Sequence, residues 1–155
     1  KHSFPFQMMA YVSRLNKLLT TTSIENHYLF IMERSLRTDT EIFEKMLYDD
    51  KKLNTYEHQI YHKWVTLFSN HYKSNKTIYI HTDPKISYER IQKRNRNGED
   101  TIPMEYLQKC HNYHEEMIKR MDSDEVLFLD GNEDIYEDES IIHKWFDKIV
   151  RFIVK

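Results

Sequence analysis

The chain has 155 residues, 39% hydrophobic and 31% charged, with a formal net charge of -2 at neutral pH. That length is enough for one compact domain over 1–155 with a real core, and nothing in it calls for two. The charge balance excludes a strongly basic nucleic-acid binder, and no apolar run approaches membrane-spanning length, so neither nucleic acid nor membrane is an expected partner.

A single cysteine, Cys110, excludes an internal disulfide and makes a reducing compartment the default. The expected protein is soluble and intracellular, cytoplasmic rather than mitochondrial. The chain starts at Lys1 rather than Met and enters a helical pattern within a few residues, which reads as a piece of a longer protein. With only Gly98 and Gly131, it holds no glycine-rich phosphate loop.

In chain order, Ser3 is placed to cap a helix that tolerates Pro5 in its first turn and runs over 6–19. Gln7, Ala10 and Arg14 share one face of it. That face is either solvated or the wall of a polar ligand pocket. A loop over 20–25 leads to YLFIM at 28–32, an apolar run of strand length that delivers Glu33, Arg34 and Ser35 at its end. Asp39 then opens a helical pattern through Ile42, Phe43 and Met46. Charges at the carboxyl end of a strand lie where open α/β sheets bind ligands.

Asn54 and Glu57 form a capping-box pattern for a helix continuing through Ile60, Tyr61, Trp64 and Leu67 to about Tyr72. TIYIH at 77–81 reads as a buried strand, followed by Asp83 and Pro84 as N-cap and first residue of the next helix. Pro103 opens a helix with an apolar stripe of Tyr106, Leu107, Cys110, Tyr113 and Met117. EVLFLD at 125–130 is the third strand. A last helix over 139–154 carries Ile142, Trp145, Phe146, Ile149 and Ile153 on its inner side. Strands separated by helices of ten or more residues predict an α/β fold with a parallel sheet.

Several groups invite chemistry. Arg90 and Arg94 are one turn apart and Arg96 follows, so three guanidiniums could converge on one phosphate; a solvated basic helix end explains them equally well. Glu33 and Arg34 either pair with each other or serve a magnesium ion, a proton and a hydroxyl or phosphate. Cys110, His111, His114 and Glu115 have metal-ligand spacing, but with no complementary ligand pair in view a chance match is the preferred reading.

Taken together, SFPFQ at 3–7, ERSLRTD at 33–39, IYIHTDP at 78–84, RIQKRNRNGED at 90–100, IPMEYLQKCHNYHE at 102–115 and LFLDGNED at 127–134 resemble the deoxynucleoside kinase family. That family includes deoxycytidine, deoxyguanosine and mitochondrial thymidine kinases and the insect multisubstrate enzyme. The resemblance implies a P-loop kinase fold, a five-stranded parallel sheet flanked by helices, with its first strands and P-loop outside this chain. It implies transfer of the γ-phosphoryl of ATP to the 5′-hydroxyl of a deoxyribonucleoside with Mg2+, in nucleotide salvage.

By the same likeness Gln7 bonds the base edge, Phe6 and Phe43 pack on the base, Arg14 and Asp39 close the far end of the pocket, and Ala10 belongs to the substrate site. Arg34 contacts the 5′-oxygen, and Glu33 is the magnesium-linked or proton-accepting carboxylate. Glu99 reaches the sugar 3′-hydroxyl, and Tyr106 also belongs to the substrate site. Arg90, Arg94 and Arg96 resemble lid arginines on ATP, the last two catalytic, and Glu133, Asp134 and Ile135 the loop beside its adenine. Relatives imply a homodimer.

The departures are Thr40 where an arginine often follows the aspartate, Ile135 where relatives offer an aromatic, and the P-loop, without which this chain alone is not a competent kinase. The combination of Ala10, Arg14 and Asp39 favours deoxycytidine or purine deoxynucleosides over thymidine. The alternative is a non-catalytic nucleoside-binding or regulatory subunit; a thymidylate-kinase-like enzyme ranks third.

Overall fold

The computed structural model describes residues 2–22, 29–69, 76–99 and 101–154. They form two compact units, Lys1–Lys73 and Ser74–Lys155.

In the first unit, helix α1 (Ser3–Thr22) already includes the expected cap Ser3, because the amide of Phe6 bonds the carbonyl of His2 at 3.1 Å. It also outruns the expected end. Thr20 and Thr21 turn their hydroxyls back onto the carbonyls of Asn16 and Lys17, a way for threonine to stay in a helix. The rest of the expected loop lies outside the described residues.

Of the expected strand at 28–32, Tyr28 lies outside the described residues, and 29–32 form no strand. Leu29 and Ile31 are exposed at 64% and 70%. A strand exists through its ladder of hydrogen bonds, and the first unit has no partner strand among its described residues. Apolar content alone does not supply one.

Ser35 is extended and accepts the amide of Thr38 at 3.1 Å, capping a short helix α2 (Leu36–Thr38). This passes without a break into a π-helical turn, Asp39–Glu44, and then α3 (Lys45–Asp49). Helix α4 (Thr55–Ser69) is held at its start by the expected capping box. The amide of Asn54 bonds Glu57 Oε2 at 2.8 Å and the amide of Glu57 bonds Asn54 Oδ1 at 3.0 Å. Its expected continuation to Tyr72 lies outside the described residues.

Tyr11 and Leu15, four apart on α1, meet Tyr61 of α4 in the core of this unit, with Phe4, Met8, Leu36, Val65 and Phe68 packed around them. The Tyr11 and Tyr61 rings meet edge to face at 5.4 Å, a geometry worth about 0.5–1.5 kcal/mol beyond the area buried. On α4 it is thus Tyr61, Val65 and Phe68 that pack inward, while Ile60, Trp64 and Leu67 are exposed.

The second unit contains a two-stranded parallel sheet, β1 (Thr77–His81) on β2 (Val126–Asp130), in a register that pairs Thr77 with Val126 and His81 with Asp130. The class is the expected α/β with a parallel sheet, though two strands form among the described residues. Glu125 ends a 3-10 turn, Ser123–Glu125, instead of opening β2. The connection between the strands carries α5 (Pro84–Arg94) and α6 (Met104–Lys119). Asp83 caps α5 through a 2.8 Å bond from the amide of Lys85, with Pro84 in the first turn, and left-handed Asn95 ends it.

Helix α7 (Ser140–Val154) packs on β2 with a face that matches the expected one only in part: Trp145, Ile149 and Ile153 are half-buried. Ile141 is buried while Ile142 and Phe146 are exposed at 48% and 63%. The packed stripe is Ile141, Trp145 and Ile149, at spacings of four, and Phe146 sits roughly 100° round the helix from Trp145, outside that stripe. Lys76, just before β1, binds the last carbonyls of α7, Phe152 and Ile153, where a cation also meets the negative end of the helix.

Gly131 continues the ladder beyond β2, its amide donating to the carbonyl of His81 at 2.6 Å. A Cβ at this position would lie 2.9 Å from that carbonyl oxygen, 2.8 Å from Ile80 Cγ2 and against Thr82 Oγ1. The backbone oxygen has nowhere to yield. Gly131→Ala is therefore expected to destabilise the protein by about 1–3 kcal/mol. Thermal unfolding checks this; a melting temperature unchanged from the parent overturns it.

Candidate functional site

The π-helical turn brings together three residues that the sequence placed on two separate segments. Asp39 is buried at 2%, and α1 meets it twice. Arg14 forms an ion pair with its carboxylate, and Gln7 Nε2 donates to its backbone carbonyl at 2.9 Å. Gln7 is itself buried, and Ala10 lies between the two on the same helix face, half-buried. The polar face of α1 thus packs against the π-helical turn instead of facing solvent.

Burial pushes the Asp39 carboxyl above its ordinary range. The Arg14 hydrogen bond and charge, with the charge of Arg34, pull the other way without cancelling it. Tyr61 beneath them is pushed up to about 12, mainly by burial, and stays a neutral hydroxyl. Thr40, in the place of an expected arginine, returns its hydroxyl to the carbonyl of Leu36 at 3.1 Å.

Arg34 takes a left-handed backbone, φ 62°, which costs a non-glycine residue energy. Its guanidinium lies 4.2 Å from the centre of the Phe43 ring, a cation-π contact that occupies the half-buried Phe43. Glu33, next to it, is exposed, as is Phe6 at 71%.

In the second unit the arginines do not converge. Arg90 spends its guanidinium on backbone carbonyls, Nη1 on Gly131 at 2.5 Å and Nη2 on Asn132 and Glu133, both at 3.0 Å. Arg94 pairs with Glu99 through Nε at 3.0 Å and Nη2 at 2.6 Å. Arg96 is exposed, and Tyr106 is exposed at 42%. The loop after β2 is anchored a second time by Asn132, whose Oδ1 accepts the amide of Asp83 at 2.8 Å. Within it Asp134 accepts the amide of Tyr136 at 2.9 Å; Glu133 is exposed and Ile135 half-buried.

Among the described residues two clusters have metal-ligand chemistry, and each contains residues that the sequence reading passed over. Glu44, His58 and His62 form one; His81 joins His111 and Glu115 in the other. The signal for the first was available as two histidines four apart on one helix, a complementary pair of the kind taken to be missing. Cys110 and His114 are in neither; His114 Nδ1 instead lies 2.7 Å from the carbonyl of Cys110.

No helix among the described residues is long and apolar enough to cross a membrane. The deoxynucleoside kinase family model matches the chain over residues 1–154. The chain is 31% identical to deoxycytidine kinase 2 of Gallus gallus, over 97% of this chain and 63% of that protein. It is 32% identical to the deoxycytidine kinase of Homo sapiens, over 92% of this chain and 62% of that one. It is 28% identical to the mitochondrial deoxyguanosine kinase of Xenopus laevis, again over 97% and 63%. The chain therefore spans a little under two thirds of the length of these relatives. With a family model that runs nearly from end to end and relatives above 30% identity, the chain belongs to the deoxynucleoside kinase family.

Proposed function

We propose that the protein is an intracellular ATP-dependent deoxynucleoside kinase, with residues 1–155 acting as part of its kinase domain and deoxycytidine or a purine deoxynucleoside as acceptor. The observation that carries this is the meeting of Gln7, Arg14 and Asp39 in a chain of this family. A buried carboxylate held beside a guanidinium and a carboxamide offers donors and an acceptor for a base edge, in positions that do not need to reorganise on binding. Phe6 and Phe43 supply apolar ring surface for the base, and Ala10 keeps the wall shallow.

Arg34 is the group for the acceptor 5′-oxygen. Glu33 carries an exposed carboxylate, a hard oxygen ligand of the kind magnesium takes together with nucleotide phosphates. The ion would neutralise charge on those phosphates; Glu33 itself would hold it or accept the hydroxyl proton. In the second unit, Arg94 and Arg96 are charges for the transferred phosphoryl, Glu99 and Tyr106 serve the sugar side, and Arg90 sets the loop of Glu133, Asp134 and Ile135 for adenine. The two natural names among the relatives, deoxycytidine and deoxyguanosine kinase, agree with an acceptor other than thymidine.

Two substitutions separate recognition from catalysis. Arg14→Met keeps the packed stem and removes the charge from a contact made equally in ground and transition states. On the intact protein it should raise KM for deoxycytidine about tenfold or more and change kcat by less than about threefold. Arg94→Ala removes a charge that acts on the developing phosphoryl, and should lower kcat chiefly. Steady-state assays with each nucleoside in competition check both. An unchanged kcat in Arg94→Ala overturns its role, a preference for thymidine overturns the acceptor assignment, and tight nucleoside binding without turnover in the intact protein identifies a binding subunit instead.

A further inference from the structure

Glu44 closes the π-helical turn and is completely buried. A carboxylate out of water costs several kcal/mol unless charge and hydrogen bonds compensate it. Both of its oxygens point at imidazoles of α4. Oε1 lies 2.8 Å from His58 Nδ1 and Oε2 lies 3.2 Å from His62 Nε2. His58 and His62 are one turn apart, with ring centres separated by 4.3 Å. Tyr48 stacks on His58 at 4.0 Å with planes 15° apart, which fixes the ring.

One nitrogen from each histidine and one Glu44 oxygen lie within 4.8 Å of one another. Three ligand atoms each about 2.0–2.2 Å from a tetrahedral ion are roughly 3.3–3.6 Å apart, so small rotations of these side chains complete such a shell. The two histidines also line an open groove with Gln59, Lys63, Thr66 and Leu67, which leaves a position facing water. The second cluster is less suited. Glu115 Oε1 already accepts the Tyr79 hydroxyl at 2.9 Å and stands 3.7 Å from His81.

We propose that Glu44, His58 and His62 bind one divalent transition ion of the zinc class, with water as the fourth ligand. Two imidazoles and one carboxylate select zinc, cobalt or nickel over magnesium, which requires oxygen. Bound there, the ion compensates the buried carboxylate and ties the turn that carries Asp39 to α4. It is a site separate from the magnesium assigned to Glu33, and it stands whether or not the kinase reading does.

The test uses the intact protein, stripped with a chelator and titrated with Zn2+ by calorimetry and with Co2+ by visible absorption. One equivalent should bind with micromolar or tighter affinity, intensify the cobalt bands and raise the melting temperature. His62→Gln keeps a hydrogen-bond donor for Glu44 at a half-exposed position and removes the imidazole; it should weaken binding about tenfold or more while the far-ultraviolet dichroism stays that of the parent. His58→Gln together with His62→Gln should abolish the site, and His111→Ala should leave it unchanged. Absence of stoichiometric binding in the parent, unchanged affinity in His62→Gln, or loss in His111→Ala overturns the proposal.

Discussion

The buried carboxylate of Asp39 is the constraint around which the first unit is arranged. Its folded environment disfavours the charge, and Arg14 and Arg34 only partly restore it. Removing a partner from a buried ion pair costs more than the pair itself contributes, because the remaining charge is left without water or counterion. Arg14 must therefore stay where α1 holds it, and α1 in turn is located by Tyr11 and Leu15 in the apolar core. The same helix provides both the packing and the polar partners, on adjoining faces.

That constraint extends along the π-helical turn. Asp39 begins it and Glu44 ends it, with Ile42 fully buried between them. One carboxylate is satisfied by α1 and the other by α4, so the turn is gripped from two sides by groups that each need it. Turns with i to i+5 bonding are rare and tend to occur where side chains must be aimed in directions an α-helix does not allow. Here the result is two acidic groups and an isoleucine all directed inward within six residues.

Local chemistry was readable in the sequence and long-range partners were not. The Asn54 and Glu57 box and the Asp83 and Pro84 start depend on residues within a few positions of one another, and the strands at 77–81 and 126–130 were legible as apolar runs although their ladder joins distant segments. The run at 29–32 looked equally good as a strand, but its formation depends on a ladder partner that composition cannot reveal. An α-helical period drawn from Asp39 onward missed the π geometry, so Glu44 went unnoticed as an inward-facing acid. On α7 five apolar residues fit two overlapping stripes, and only packing against β2 selects Ile141, Trp145 and Ile149. The face of Gln7, Ala10 and Arg14 was legible as a face from spacing; that it meets Asp39, 25 residues beyond Arg14, came only through the family resemblance.

The arginines of the second unit show how the same residue type divides into different roles. Arg90 makes three bonds to carbonyls of one loop, and losing it would leave those oxygens to find other donors; it is a positioning residue for 131–133. Arg94 is instead held by Glu99 in a pair whose side chains are 48% and 27% exposed. An ion pair this open to solvent contributes about 0–1 kcal/mol, so a ligand with concentrated negative charge replaces it at little cost. Glu99 would be released in the same event. The pair is thus no obstacle to the roles proposed for either residue.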